Sequence, residues 1–175
     1  MSYRNKTYVV FDGDNDMWAY SYMKGWKSND NIDFNFHDAH DIGTLTRRAQ
    51  NESYIKSELR KRFKTAKQIL VLIGKKTKNL YRYVRWELEM AQDLDLPIIA
   101  VNLNGKRSQD ATLVPPIIRD EYVVHIPFKM EIIKYALNSF PGEYYRRQSS
   151  DSGPRYYSDS GPRYYNDSVY RKLGL

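Results

Sequence analysis

Two stretches constrain this chain more than any other: "QILVLIG" at 68–74 and "PIIAVNL" at 97–103. Each is an almost unbroken apolar run of strand length, one closed by Gly74 and the other opened by Pro97. A strand with one wet face alternates polar and apolar residues. A run that is apolar throughout is buried on both faces, as happens when helices cover both sides of a parallel sheet. The rest of the chain fits that requirement. "TYVVF" (7–11) reads as a strand, followed by a helix over "DMWAYSYMKGWK" with Trp18, Tyr22 and Trp26 on one stripe. "IDFNF" (32–36) reads as a second strand, and from Glu52 a helix carries Ile55, Leu59, Phe63 and Ala66 inward at helical spacing. After the two apolar runs come a strand at 121–126 and a closing helix, "PFKMEIIKYALNSF". Strands alternating with helices imply βαβ crossovers, hence an α/β fold of three layers around a mainly parallel five-stranded sheet.

This organisation accounts for a domain over 1–140. Residues 141–175 differ: "DSGPRYYS" (151–158) is followed by "DSGPRYYN" (159–166), an eight-residue tandem repeat rich in turn formers. Two units are too few for a solenoid. The composition predicts a flexible tail, and the competing reading is an adhesive strip of tyrosine pairs and arginines that docks on a neighbour.

Charge and cysteine content narrow the function. The formal net charge is +7, from 28 Lys and Arg against 21 Asp and Glu. The basic residues are interleaved with acids on helix faces such as "KSELRKRFK", so a solvated surface explains them and nucleic acid is not the expected partner. An anionic small molecule such as a dinucleotide is equally compatible. There is no cysteine, hence no disulfide framework and no thiolate chemistry. No run reaches the length of a membrane span, and the start lacks a signal peptide's apolar stretch, so the expected location is cytoplasmic.

One residue breaks the apolar pattern. In "YVRWELEM" (83–90), Val84, Leu88 and Ala91 form an inward helical stripe, and Glu87 stands on it. A carboxylate aimed at a core is costly unless paired or used. Either it meets Arg82, Arg85 or a loop lysine in an ion pair, or it is a reactive group, and periodicity leaves both open. In an open parallel sheet, ligands bind outside the carboxyl ends of the strands. The loops "FDGDND" and "HDAHD" reach that edge, so Asp12, Asp14, Asp38 and Glu87 are expected to converge there, with Phe11 and Trp18 as apolar walls. Other chemistries fail on spacing. A calcium loop starting at Asp12 would need Gly and Glu where Met17 and Met23 stand. His37, Asp38, His40 and Asp41 lack a supporting partner for a metal, so none is expected. Glycine-rich phosphate loops and a serine elbow are absent.

The block "ILVLIGKKTKN…YVRWELEMAQDLDLPIIAVNLN", together with "TYVVFDGDND" and "FNFHDAHD", resembles the TIR-like domains of bacterial antiphage defence, in particular the ThsB family of Thoeris systems. The resemblance covers about residues 5–130. It implies a flavodoxin-like fold and cleavage of NAD⁺ at the nicotinamide–ribose bond, with NAD⁺ as substrate and no cofactor. It further implies an ADP-ribose-derived signal, often cyclic, that activates a separate effector after a phage-derived trigger, and self-association of the domain. Glu87 matches the Glu of the family's W-x-x-x-E motif, but Tyr83 stands in place of Trp. The first loop also departs: Asp12-Gly13-Asp14 replaces the Ser and aromatic found in many TIR domains. Substrate positioning is expected from Phe11, Asp12, Asp14, Trp18, Asp38 and Tyr83. Two alternatives remain: a non-catalytic TIR scaffold that works by assembly, and an enzyme acting on other N-glycosidic bonds, such as a nucleoside transferase.

Overall fold

The computed structural model describes residues 6–34, 36–38, 52–79, 83–149 and 161–175. In chain order the elements are β1 (Lys6–Val10), α1 (Met17–Ser28), β2 (His37–Asp38), α2 (Glu52–Phe63), β3 (Gln68–Ile73), α3 (Tyr83–Asp93), β4 (Ile98–Asn102), β5 (Val124–Pro127), α4 (Met130–Ser149), β6 (Arg163–Tyr164) and α5 (Asp167–Lys172). The strands form one sheet in the order β2-β1-β3-β4-β5-β6, and every pairing is parallel. This is the flavodoxin-like arrangement, with a short sixth strand added at one edge.

The two apolar runs behave as their composition requires: all six residues of β3 and all five of β4 are buried. Alternation along the strands then divides two cores. Tyr8, Val10, Ile69, Val71, Ile73 and Ala100 pack with Ile55, Leu59 and Phe63 of α2 and Val84, Leu88 and Ala91 of α3. Val9, Phe11, Leu70, Leu72, Ile99, Val101 and Ile126 pack with Ala19, Tyr20 and Met23 of α1 and Ile133, Leu137 and Phe140 of α4. Each buried Val, Leu, Ile, Phe or Met among them contributes about 1.5–3 kcal/mol. No helix of the described residues is long and apolar enough to cross a membrane.

Three expectations are corrected. The second strand is not 32–36 but His37–Asp38, paired with Lys6 and Thr7. Phe34 and Phe36 are buried outside the ladder, and Phe34 meets Trp26 edge-on at 5.5 Å, so aromatic packing rather than strand pairing explains that apolar pattern. The final helix does not stop before Pro141; α4 continues through it to Ser149, so the boundary expected at 141 falls inside a helix. Finally, the flexible tail is not what residues 161–175 form. β6 pairs with β5, with Arg163↔Val124 and Tyr164↔His125 in register, and the Arg163 N–H donates to the Val123 carbonyl at 2.7 Å. The Asn166 side chain caps α5 by accepting from the Val169 N–H. Tyr170 is 1% exposed, and the Arg107 guanidinium lies over its ring at 4.0 Å. Residues 161–166 of the second repeat unit therefore dock on the sheet of their own chain, while the first unit lies outside the described residues.

Candidate functional site

Helix α3 carries Glu87 inward, as its spacing predicts. The residue is 8% exposed among the side chains of α3 that pack on β1 and β3. The Tyr8 hydroxyl, from β1, donates to Glu87 Oε1 at 2.8 Å. The second oxygen, Oε2, makes no hydrogen bond among the described residues. Burial pushes the Glu87 carboxyl up to about 7, against the lowering effects of the Tyr8 hydrogen bond and the Arg62 guanidinium. Tyr8 moves upward as well, because it is buried beside that carboxylate. The ion pair weighed for Glu87 is not formed with Arg85, whose guanidinium meets Glu89 at 2.7 Å. Arg82 lies outside the described residues. No described lysine or arginine forms an ion pair with Glu87. Glu87 is therefore a buried acid held by one phenol and poised to ionise near neutral pH.

The other expected site residues do not gather around it. Phe11 is buried and stacks on Tyr20 at 4.7 Å on the opposite face of the sheet, so it is core rather than wall. Asp12 is buried and fully used: its carboxylate accepts from the Asp14 and Asn15 N–H groups and from the Asn15 amide. That clasp shapes the loop after β1, and Asp14 points to solvent. Tyr83 is 51% exposed and meets Trp86 edge-on at 5.8 Å. It begins the helix but lines no groove described below. Asp38 ends β2 opposite Thr7, and the site role expected of its side chain lies outside what is described. Residues 39–51 and 80–82, which precede α2 and α3, also lie outside the described residues.

Described residues line at least three grooves. One of about 330 Å³ crosses the carboxyl ends of β1, β3 and β4; Asn15, Asp16, Trp18, Gly74, Lys75 and Lys76 are among its walls. A second, of about 350 Å³, lies between Thr77, Val84, Arg85 and the Pro115–Ile117 turn. A third separates α2 from α3, between Lys56, Arg60, Glu89 and Asp93. Glu87 lines none of the three. Trp18, 48% exposed, lines the first, apart from Glu87. Asp16, just before α1, turns to the loop after β3: the Thr77 hydroxyl donates to it at 3.2 Å, and Thr77 accepts from the Gly74 N–H at 2.8 Å. A Cβ on Gly74 would meet the Asp16 carboxylate, so the glycine allows the two loops to touch. Burial raises the Asp16 carboxyl above its ordinary range. None of Tyr8, Asp16, Lys75 and Lys76 was expected at the site from the sequence. Strand alternation assigns Tyr8 a face, but nothing in it specifies the partner across that layer.

A second buried titratable group lies in β5. His125 is fully buried, and neither ring nitrogen has a partner among the described residues. Burial lowers it from 6.5 to about 4. A depressed histidine is neutral in the fold, so the stability it contributes is present above 6.5 and lost as pH falls toward 4. Glu87, raised from 4.5 to about 7, has the opposite sense: its contribution is present below 4.5 and lost as pH rises through 7. Each spans roughly 3 kcal/mol, so the two nearly cancel in the native protein. Replacing His125 by Leu removes one side of that balance. The variant is expected to be more stable at pH 5 than at pH 7 in urea titrations, whereas an unchanged pH dependence would contradict these assignments.

The family model described as "Thoeris protein ThsB, TIR-like domain" matches residues 8–108. The match runs from β1 past β4 and includes α3 with Glu87.

Proposed function

This chain belongs to the TIR-like domain family of Thoeris ThsB proteins, and from that premise we propose that it cleaves NAD⁺ between nicotinamide and ribose, with Glu87 as the carboxylate that meets the charge formed there. Membership makes it a TIR protein of antiphage defence. One observation carries the chemical step: a buried carboxylate with Oε1 held by Tyr8, Oε2 without a hydrogen bond among the described residues, and ionisation centred near 7.

Nicotinamide leaves as a neutral ring, because the pair of electrons of the C1′–N1 bond returns to a ring that was cationic. No acid is needed for departure. Positive charge builds instead on the ribose, as in glycoside cleavage. A carboxylate fixed beside the ribose in a poorly hydrated place stabilises that charge more in the transition state than in the ground state. The cationic substrate also favours the ionised form of Glu87. Attack on C1′ by water, which loses a proton to solvent, gives ADP-ribose; attack by the adenine of the same molecule closes a ring. The product then serves as the signal to a separate effector.

The reading is tested by nicotinamide release from NAD⁺, with and without lysate of phage-infected cells. With ionised Glu87 as the active form, release rises about tenfold per pH unit below 7 and levels off above it. Replacing Tyr8 by Phe removes the hydrogen bond that holds the Glu87 carboxyl down, so the acid limb moves to higher pH. A limb that stays in place in Tyr8→Phe would contradict the pairing. The competing reading is a scaffold that acts by assembly. It predicts no nicotinamide release in any state of the protein.

A further inference from the structure

The strand order reverses at β1: β2 lies on one side, and β3, β4 and β5 follow on the other. In sheets of this kind ligands bind outside the carboxyl ends of the strands at such a switch point. Here the 330 Å³ groove lies at that point, walled by Asn15, Asp16 and Trp18 after β1 and by Gly74, Lys75 and Lys76 after β3. Its chemistry is mixed in an orderly way. Trp18 is 48% exposed, and its ring contacts, with Tyr22 at 82° and Phe128 at 75°, are both edge-to-face. No described ring is stacked on the indole. Lys75 and Lys76 are exposed and form no ion pair among the described residues. Asp16 is buried and fixed by Thr77, which places negative charge at the inner wall.

We propose that this groove is a binding site for a nucleoside phosphate of mononucleotide size, its base stacked on Trp18 and its phosphate held by Lys75 and Lys76. Volume limits the ligand: about 330 Å³ is at the low end of small-molecule sites, which run from about 300 to 1,000 Å³. A space of that size matches one nucleotide unit. Charge sets the orientation. Asp16 repels a phosphate from the inner wall and accepts a hydrogen bond from a sugar hydroxyl, while the two ammonium groups attract the phosphate to the mouth. An exposed indole takes any base, because every base presents a π-face. The groove is separate from Glu87, so binding here stands or falls independently of NAD⁺ cleavage.

Calorimetric titration of the whole protein with AMP, GMP, adenosine and inorganic phosphate tests the site, with tryptophan fluorescence as a second readout. AMP or GMP is expected to bind more tightly than adenosine or phosphate, to quench fluorescence, and to weaken as salt rises. The double substitution Lys75→Ala and Lys76→Ala is expected to weaken binding at least tenfold and flatten the salt dependence. Trp18→Ala is expected to weaken it by a similar factor. All three side chains are exposed or half-exposed, so unchanged melting temperatures verify that the variants are folded. Glu87→Gln leaves the affinity unchanged. The proposal is overturned if neither nucleotide binds at millimolar concentration. It is also overturned if phosphate alone binds as tightly and Trp18→Ala has no effect, or if Glu87→Gln abolishes binding while the lysine variant retains it.

Discussion

Replacing Glu87 by Gln is expected to lower nicotinamide release by about 10²–10⁴-fold, the range for removal of a preorganised charge partner. The amide keeps the shape and can still accept from Tyr8, so the loss reports charge rather than packing. Stability should move the other way. The buried carboxyl ionises near 7, against an ordinary value of 4.5, so at pH 8 the native fold carries an ionised acid in an unfavourable place. Gln does not titrate, and the variant is expected to be more stable than the parent at pH 8 by up to roughly 3 kcal/mol. A loss of activity joined to a gain in stability is the behaviour of a functional acid, since active sites commonly carry such local destabilisation. A purely structural acid would give no catalytic loss. Chemical denaturation at pH 8 alongside the nicotinamide assay measures both effects.

Tyr170→Ala is expected to destabilise the fold by about 3–5 kcal/mol, as large aromatic truncations in a core do. Its ring is 1% exposed, belongs to the core beneath α1 and α4, and carries the Arg107 guanidinium at 4.0 Å. The substitution therefore leaves a cavity and frees the segment that presents β6. Tyr170→Phe separates ring from hydroxyl. That hydroxyl has no partner among the described residues, and an unsatisfied buried hydroxyl costs about 1–3 kcal/mol. The Phe variant is accordingly expected to be as stable as the parent or more so. Urea midpoints of the two variants check this directly. If Tyr170→Ala melts like the parent, the C-terminal segment is not part of the cooperative fold.

The strand runs at 68–74 and 97–103 specified the sheet because burial on both faces leaves a signal that local sequence carries by itself. The inward face of α2 was legible for the same reason: Ile55, Leu59, Phe63 and Ala66 are all buried at their helical spacing. Phe34 and Phe36 misled, since aromatic burial against Trp26 imitates a strand without forming one. The C-terminal strand was illegible because its information lies in two places far apart. "GPRYYN" looks like a loose turn-rich repeat until the free edge of β5 is available to pair with it, and Tyr170 is anchored by Arg107, about sixty residues earlier. At the site, Glu87 stood out because a charge on an apolar stripe demands an explanation. Tyr8 did not, because a tyrosine in a buried strand is unexceptional. The convergence expected of Asp12 and Phe11 failed for a local reason: topology places a loop at the rim but not the direction of each side chain, and here the loop consumes Asp12 in its own hydrogen bonds while the core takes Phe11.

Cells carrying either the parent or Glu87→Gln, extracted after phage infection and compared by mass identification of their nucleotides, provide the most direct test of the central claim. Cleavage by Glu87 predicts an ADP-ribose-derived nucleotide that accumulates with the parent and is absent with Glu87→Gln, at equal protein levels. The same nucleotide at the same level in both strains would contradict it.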